Sequence, residues 1–357
     1  MINIAKPVIG EEEIKAVSEV LKSGMLAQGE KVKEFEENFS KYIRVKHSVA
    51  TSSGTTALQT ALICHDIKND DEVITTPFTF VATANSILSV NAKPVFVDIE
   101  RDTFNINPDL IQEKITKKTK AIMAVSLFGL MPDMDKISQI AKDNNLILVE
   151  DVAQAHGAEF KQKKAGSFGT GCFSFYPTKN MTTSEGGLIT TNDEKFAEKC
   201  RMTINHGSKI RYQHEVFGLN FRMTNIAAAI GIEQLKKLDY LNNKRIENAK
   251  YLIKNLKDSN LILPKVKENY KHVFHQFTIM VENRDEILKK LSEKGIKGDI
   301  FYPKPVFEQP LYKNLGYTGK EFRVVNEICS KVLSIPVHPS LTKEELDYIT
   351  KTLKDLI

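Results

Sequence analysis

The stretch "SFYPTKNMTTSEGG", Ser174 to Gly187, sets one lysine, Lys179, among hydroxyl residues and closes on two glycines. An apolar run, Gly187–Thr191, follows at once and reads as a short strand. A lysine so placed is either a solvated turn charge or an amine held in a pocket for chemistry. Three other stretches bear on the choice. In "LILVEDVAQAHGA" the apolar run Leu146–Val149 ends in Glu150 and Asp151, with Gln154 one turn further on. Ligands of open parallel sheets bind beyond the carboxyl ends of the strands, which puts Asp151 at the ligand edge. Capping a helix N-terminus is the alternative use of such a carboxylate. In "ATSSGTTALQTAL", Gly54 permits close backbone approach, and Thr55 and Thr56 open a helix. Free N–H groups at a helix start, flanked by hydroxyls, suit a phosphate, although an ordinary Ser/Thr cap has the same appearance. In "TTPFTFVATAN", Phe80 is one aromatic among small residues, available to lie on a planar ring or to pack in the core. Lys179 beside Asp151 would pair an amine able to form a Schiff base with a carboxylate able to keep a pyridine nitrogen protonated. That is the pair pyridoxal 5′-phosphate (PLP) requires of its protein, and a phosphate cradle at Gly54–Thr55 with a ring at Phe80 completes the set.

These residues need elements to hold them. The strand candidates are Glu72–Thr75, Pro94–Asp98, Ala121–Val125, Leu146–Glu150 and Gly187–Thr191. Amphipathic segments lie between them. "EKVKEFEENFSKY" carries Val32, Phe35, Phe39 and Tyr42 on one face, and "MPDMDKISQIAKDN" repeats the pattern with Met134, Ile137 and Ile140. Strands alternating with helices argue for an α/β architecture, a mainly parallel sheet covered on both faces. From about residue 241 a lysine-rich helical stretch leads to a strand candidate, Phe274–Val281, and then to further helices. The last of these opens with a capping box, Thr342 with Glu345. The expected organisation is a large domain, residues 1–240, and a smaller α+β domain, residues 241–357, with the N-terminal segment free to pack on the smaller one.

With 41% apolar and 27% charged residues, the chain of 357 residues reads as globular. A formal charge of +5 on that length gives no case for nucleic acid as a partner. No apolar run approaches the roughly 20 residues that span a bilayer, and the N-terminus lacks the basic-then-apolar pattern of a signal peptide, so a cytoplasmic protein without a membrane partner is expected. The four cysteines, Cys64, Cys172, Cys200 and Cys329, are dispersed and form no metal-ligand spacing. They read as reduced core residues, and no metal is expected.

The residues that carry this chemistry also carry a resemblance. "SGTTAL" (Ser53–Leu58), "TFVATAN" (Thr79–Asn85), "VEDVAQAHGA" (Val149–Ala158), "FSFYPTKNMTTSEGG" (Phe173–Gly187), "NHG" (Asn205–Gly207), "GLNFRMTNIAAAIG" (Gly218–Gly231) and "LSIPVHP" (Leu333–Pro339) are similar to segments of the DegT-type sugar aminotransferase family, nearly end to end. The resemblance implies a fold-type I PLP-dependent aminotransferase. It makes Lys179 the lysine that binds PLP covalently, Asp151 the partner of the pyridine nitrogen, Gln154 a donor to the phenolic oxygen and Phe80 the stacking ring. Gly54, Thr55 and Ser174 match phosphate-binding positions. Asn220 matches an asparagine that reaches the phosphate from the neighbouring subunit, which implies a homodimer with shared active sites. Arg222 is a candidate carboxylate anchor or an inter-subunit ion-pair residue, and Tyr302 a candidate lining residue.

The implied reaction moves an amino group from an amino acid, by resemblance L-glutamate, to a ketosugar carried on a nucleotide diphosphate. "TTSEGG" (Thr182–Gly187) leans toward amination at C4 rather than C3, and nothing separates UDP from dTDP carriers. Met25 stands where the family often has an aromatic, and Phe301 and Phe307 where histidines are frequent. His206 and His338 read as hydrogen-bonded structural residues. Three other readings compete. Family dehydratases carry histidine in place of the lysine, which Lys179 opposes. A desulfurase needs a cysteine on a mobile loop, but Cys329 falls in an amphipathic helix. A sensor that binds PLP or a nucleotide sugar without turnover would have no use for the full catalytic set.

Overall fold

Short runs of β-branched and aliphatic residues, separated by amphipathic stretches, build the α/β architecture seen in the computed structural model, which describes residues 1–357. Helices α1 (Glu11–Ser23) and α2 (Glu30–Ile43) lead into β1 (His47–Thr51), α3 (Gly54–Cys64), β2 (Glu72–Thr75), α4 (Ala82–Leu88), β3 (Lys93–Phe96) and β4 (Thr119–Val125). Next come α5 (Met134–Asp143), β5 (Ile147–Asp151), the two-residue strands β6 (Glu159–Phe160) and β7 (Lys163–Lys164), and then β8 (Thr170–Ser174), β9 (Gly187–Thr191) and α6 (Glu194–Thr203). A hairpin of β10 (Ser208–Ile210) and β11 (Gln213–His214) precedes the long helix α7 (Asn225–Leu256). The rest is β12 (Tyr270–Lys271), β13 (Phe277–Met280), α8 (Arg284–Glu293), α9 (Pro310–Asn314), α10 (Arg323–Cys329), β14 (Val332–Ile335) and α11 (Lys343–Leu356).

Seven strands form one sheet in the order β1-β9-β8-β5-β4-β2-β3. Pairing is parallel from β8 through β5, β4 and β2 to β3, while β9 runs antiparallel to both β8 and β1. The reversal has a simple cause. Parallel neighbours need a crossover of a dozen or more residues, usually a helix. The twelve residues between β8 and β9 are spent instead on the turn that carries Lys179, so the chain returns directly beside β8. The expected strands occupy their positions to within two residues, and the expected Phe274–Val281 shortens to β13. Within the seven-stranded sheet, two strands escaped the hydrophobic pattern, β1 ("HSVAT") and β8 ("TGCFS"), because each is short and polar at its ends.

Helix α2 lays Val32, Phe35 and Phe39 against the sheet, and Phe39 meets Phe173 and Phe175 edge-on at 4.9 and 5.5 Å between ring centres. Its Tyr42 is half-buried and donates to Asp239. α5 is capped by Asp133, which accepts the Lys136 N–H, and buries Met134 and Ile137. In the C-terminal part, β13 and β14 make a separate antiparallel pair whose apolar core includes Leu252, Leu256, Ile287, Leu346, Ile349 and Leu353. Thr342 and Glu345 close the capping box that starts α11. Ile2 bridges Ile296 in this part, and α7 runs unbroken through residue 240 with buried residues along its whole length. All four cysteines are free and buried, with Cys329 the last residue of α10.

Glu150, beside the candidate Asp151, points to the other side of its strand. It accepts the N–H groups of Gly166, Phe168 and Gly169 at 2.8–2.9 Å, and burial raises its pKa against those bonds. Glu150→Ala leaves a cavity and strips the acceptor from one buried and two partly buried donors, which predicts a loss of about 3 kcal/mol or more in chemical denaturation. A loss below about 1 kcal/mol would mean that this carboxylate does not organise the turn.

Candidate active site

The carboxyl ends of the parallel strands gather the residues singled out above. Asp151 is the last residue of β5, and the chain after it turns instead of starting a helix, so the carboxylate is not a helix cap. It is 5% exposed. Its Oδ2 accepts the Thr83 hydroxyl at 2.8 Å and its Oδ1 the Ala153 N–H at 3.1 Å. Lys179 lies in the turn between β8 and β9, half-buried, and its ammonium has no hydrogen-bond acceptor within the chain. Desolvation depresses the Lys179 pKa to about 8, with the Asp151 charge opposing it. Desolvation likewise raises the pKa of Asp151 despite Thr83, Ala153 and Lys179. The two groups lie close enough to feel each other, yet removal from water outweighs their attraction in both.

The phosphate cradle rests on close backbone approach. Ser53 caps α3, its side chain accepting the Thr56 N–H while the Thr56 hydroxyl accepts the Ser53 N–H. This uses Thr56 in the cap and leaves the N–H groups of Gly54 and Thr55 without acceptors in the chain. A Cβ on Gly54 would lie 2.5 Å from the Cβ of Ser174, and one on Gly187 would lie 2.1 Å from the Ser53 carbonyl oxygen. Only glycines allow α3, the end of β8 and the start of β9 to converge there. Two free amides and the Ser174 hydroxyl therefore face one small space at a helix N-terminus, a suitable setting for a phosphate.

Phe80 is 58% exposed, unusual for a phenylalanine beside buried polar groups, and its ring lies 6.4 Å from that of Tyr302. Gln154 is fixed at both ends. Its Oε1 accepts the N–H of Phe128, a residue in the left-handed region at φ 57°, and its Nε2 donates to the Tyr302 hydroxyl at 3.0 Å. Asn220 is exposed and bridges Asn205 in the backbone. Arg222, half-buried, donates to the Asn205 side chain at 2.7 Å and pairs with no carboxylate of its own chain. The TTSEGG loop closes on itself, with the hydroxyls of Thr182 and Thr183 donating to the carbonyls of Phe175 and Glu185. On the expected substrate side, Met25 is exposed, while Phe307 is buried and stacked on Phe322 at 5.0 Å, which makes it core. His206 and His338 offer their carbonyls to His214 and Asn248.

Several supporting residues were not singled out from the sequence. Thr83 is one, and its pairing with Thr79 four residues earlier was the available signal. Asn180 is another. Its amide donates to Asn242 of α7 and to the Val273 carbonyl, and its oxygen meets His275 Nδ1 at 3.2 Å. Asn242 in turn donates to the His156 carbonyl, tying the Gln154 turn to the Lys179 turn. No local pattern announces such a clamp, because its members lie on four separate segments.

The geometry fits PLP. It provides an unpaired amine, a buried carboxylate with spare lone pairs, free amides at a helix start and an uncovered aromatic ring. Comparison with known proteins agrees. The model of the DegT/DnrJ/EryC1/StrS aminotransferase family matches residues 7–354. The chain is 39% identical to the "Pleiotropic regulatory protein" of Geobacillus stearothermophilus over 96% of its own length and 94% of that protein. It is 37% identical to the dTDP-3-amino-3,6-dideoxy-alpha-D-galactopyranose transaminase of Aneurinibacillus thermoaerophilus, over 96% and 95% of the two chains. Among solved structures, Spr1654 of Streptococcus pneumoniae in its PLP form superposes with a TM-score of 0.95 at 30% identity, over 99% of this chain and 98% of that one.

The cradle generates a direct test. Gly54→Ala forces α3 away from Ser174, and titration of the apoprotein with PLP is expected to show at least a tenfold loss of affinity, about 1.4 kcal/mol. Unchanged affinity would remove close approach as the reason for this glycine.

Proposed function

The chain belongs to the DegT/DnrJ/EryC1/StrS aminotransferase family, PLP-dependent sugar aminotransferases acting on nucleotide sugars, and we propose that it transfers the amino group of L-glutamate to C4 of a ketosugar on a nucleotide diphosphate. The single observation that carries the catalytic part is Lys179, unpaired, depressed to about 8 and close enough to Asp151 to feel its charge. When bound, PLP supplies an aldehyde that condenses with amines and a protonated ring that draws electrons from the substrate α-carbon. The protein's own groups do the rest. Lys179 would hold the cofactor covalently and, once displaced by the donor amine, its freed neutral amine would carry the proton away from the substrate α-carbon. Asp151 would hold the proton on the ring nitrogen. Gly54, Thr55 and Ser174 would hold the phosphate, Phe80 would cover the ring face, and Gln154 would donate to the phenolic oxygen. Tyr302, bonded to Gln154, lines the same space.

In this reading two chains share each pair of sites. Asn220 serves the neighbouring subunit's phosphate, and Arg222 anchors the carboxylate of the amino donor there. The exposure of Asn220 and the lack of an acidic partner for Arg222 support that assignment. The chain divides into a large cofactor-binding unit and a smaller C-terminal unit, with α7 shared by both. No helix is long and apolar enough to cross a membrane. The preference for C4 rests on the TTSEGG loop, and the name of the Aneurinibacillus relative carries a 3-amino sugar, so the position of the new amine in the product decides the carbon. The name of the Geobacillus relative supports a second reading, a regulator that holds the cofactor without turnover.

The experiment is an absorption spectrum of the PLP-loaded protein with and without L-glutamate, beside Lys179→Ala. The proposal expects a visible band from lysine-bound cofactor, bleached by glutamate, and no such band in the variant. A band indifferent to glutamate would favour the regulator or another donor, and the absence of any band would remove Lys179 from the chemistry. The depressed pKa makes a further prediction. Below about 8 Lys179 is mostly ammonium and cannot attack the PLP aldehyde, so the rate of PLP uptake should rise with pH and level off above that value. A midpoint near ~10.4, that of an ordinary lysine, would contradict it.

A further inference from the structure

The turn from Thr79 to Thr83 does two things at once. Its Phe80 stands open to the site, and the Phe80 carbonyl accepts the Thr83 N–H at 3.1 Å. The side chain of the same Thr83, 1% exposed, reaches Asp151 Oδ2 at 2.8 Å, and its oxygen also lies 2.8 Å from the hydroxyl of Thr79, 5% exposed. The proton order along this chain follows from chemistry. An ionised carboxylate only accepts, so the Thr83 hydrogen is committed to Asp151 and Thr79 must be the donor to Thr83. The Ala153 N–H occupies the other carboxylate oxygen, which leaves each oxygen one acceptor position for anything else.

Resting on the assignment of Asp151 to the pyridine nitrogen, we infer that Thr83 and Thr79 are positioning residues that hold Asp151 ionised and aimed, and that this hydroxyl chain sets the acid limit of cofactor binding. A buried carboxylate needs such support, because desolvation favours its protonation, and a protonated Asp151 no longer accepts the ring N–H. The charged and titratable groups around Asp151 do not take over that role. Lys179 faces it from the turn after β8, Cys172 is its register partner on β8, and Tyr302 approaches from the loop before α9. Burial raises the pKa values of Cys172 and Tyr302 further from neutrality, and the change at Lys179 falls near 8, a separate step that the Thr83 hydroxyl does not touch, so none of them stands in for the carboxylate. Glu150 is turned away into its own three amide bonds.

The sign is fixed by the direction of the effect. The Thr83 hydrogen bond lowers the Asp151 pKa, so removing it raises that pKa and brings protonation at higher pH. The experiment titrates apoprotein with PLP by absorbance at a series of pH values, for wild type, Thr83→Val, Thr83→Ser and Thr79→Val. Thr83→Val should move the lower, carboxylate limb of PLP affinity up by about one pH unit and leave the Lys179 step near 8 in place. Thr83→Ser should restore the wild-type limb, and Thr79→Val should shift it in the same direction by less. A role confined to packing would lower affinity equally at every pH and would not be rescued by serine. Wild-type acid limbs in both valine variants overturn the inference, and if Thr83→Val does not fold, Thr79→Val decides it. A wild type that forms no lysine-bound band would instead defeat the cofactor assignment itself, which separates the two failures.

Discussion

Lys179 and Asp151 lie close enough to feel each other's charge, and the loss of water works against both. That opposition is the constraint on which the rest of the site depends. Left alone, each group would tend to neutralise, the lysine by losing a proton and the aspartate by gaining one. The fold resists only one of these tendencies. Asp151 receives a hydroxyl and an amide hydrogen bond, while Lys179 receives no acceptor at all. The outcome is a carboxylate supported in its charged form beside an amine released toward its neutral form, the combination that PLP chemistry uses.

The sheet serves this arrangement through one departure from parallel order. Because β9 returns beside β8 without a helical crossover, the connection is short enough to be pinned along its length. Its start is pressed against α3 at Gly54, its end against Ser53 at Gly187, and its middle is clamped by Asn180 to α7 and to the segment around Val273. A longer crossover would have left Lys179 on a loop with more freedom to lose. Burying several amides and imidazoles behind the lysine is tolerable only because most of their polar atoms find partners. The unpaired rings of His156 and the Arg245 Nε are exceptions for which no physical account emerges from their surroundings.

Much of the architecture was legible in the residues. Helices α2 and α5 follow from apolar spacing, α11 from its capping box, and five strands of the main sheet from runs of β-branched residues, because in each case a local periodicity records which face is buried. Lys179, Asp151, Gln154, Gly54 and Phe80 could be singled out because their types are costly or conspicuous in their settings, and together they suggest one chemistry. β1 and β8 were not legible, since each is short, polar at its ends and poor in the β-branched runs that mark the others.

By itself the sequence determined the fold class and the cofactor chemistry and singled out the candidate groups for it, because these depend on residue type and on spacing within single elements. Only the tertiary structure decided that Thr83 supports Asp151, that Gln154 is held between Phe128 and Tyr302, that Asn180 clamps the lysine turn, and that Phe307 belongs to the core. Each of these joins residues from distant segments, and hydrogen bonding and desolvation depend on which atoms meet in space, a quantity that no local spacing encodes.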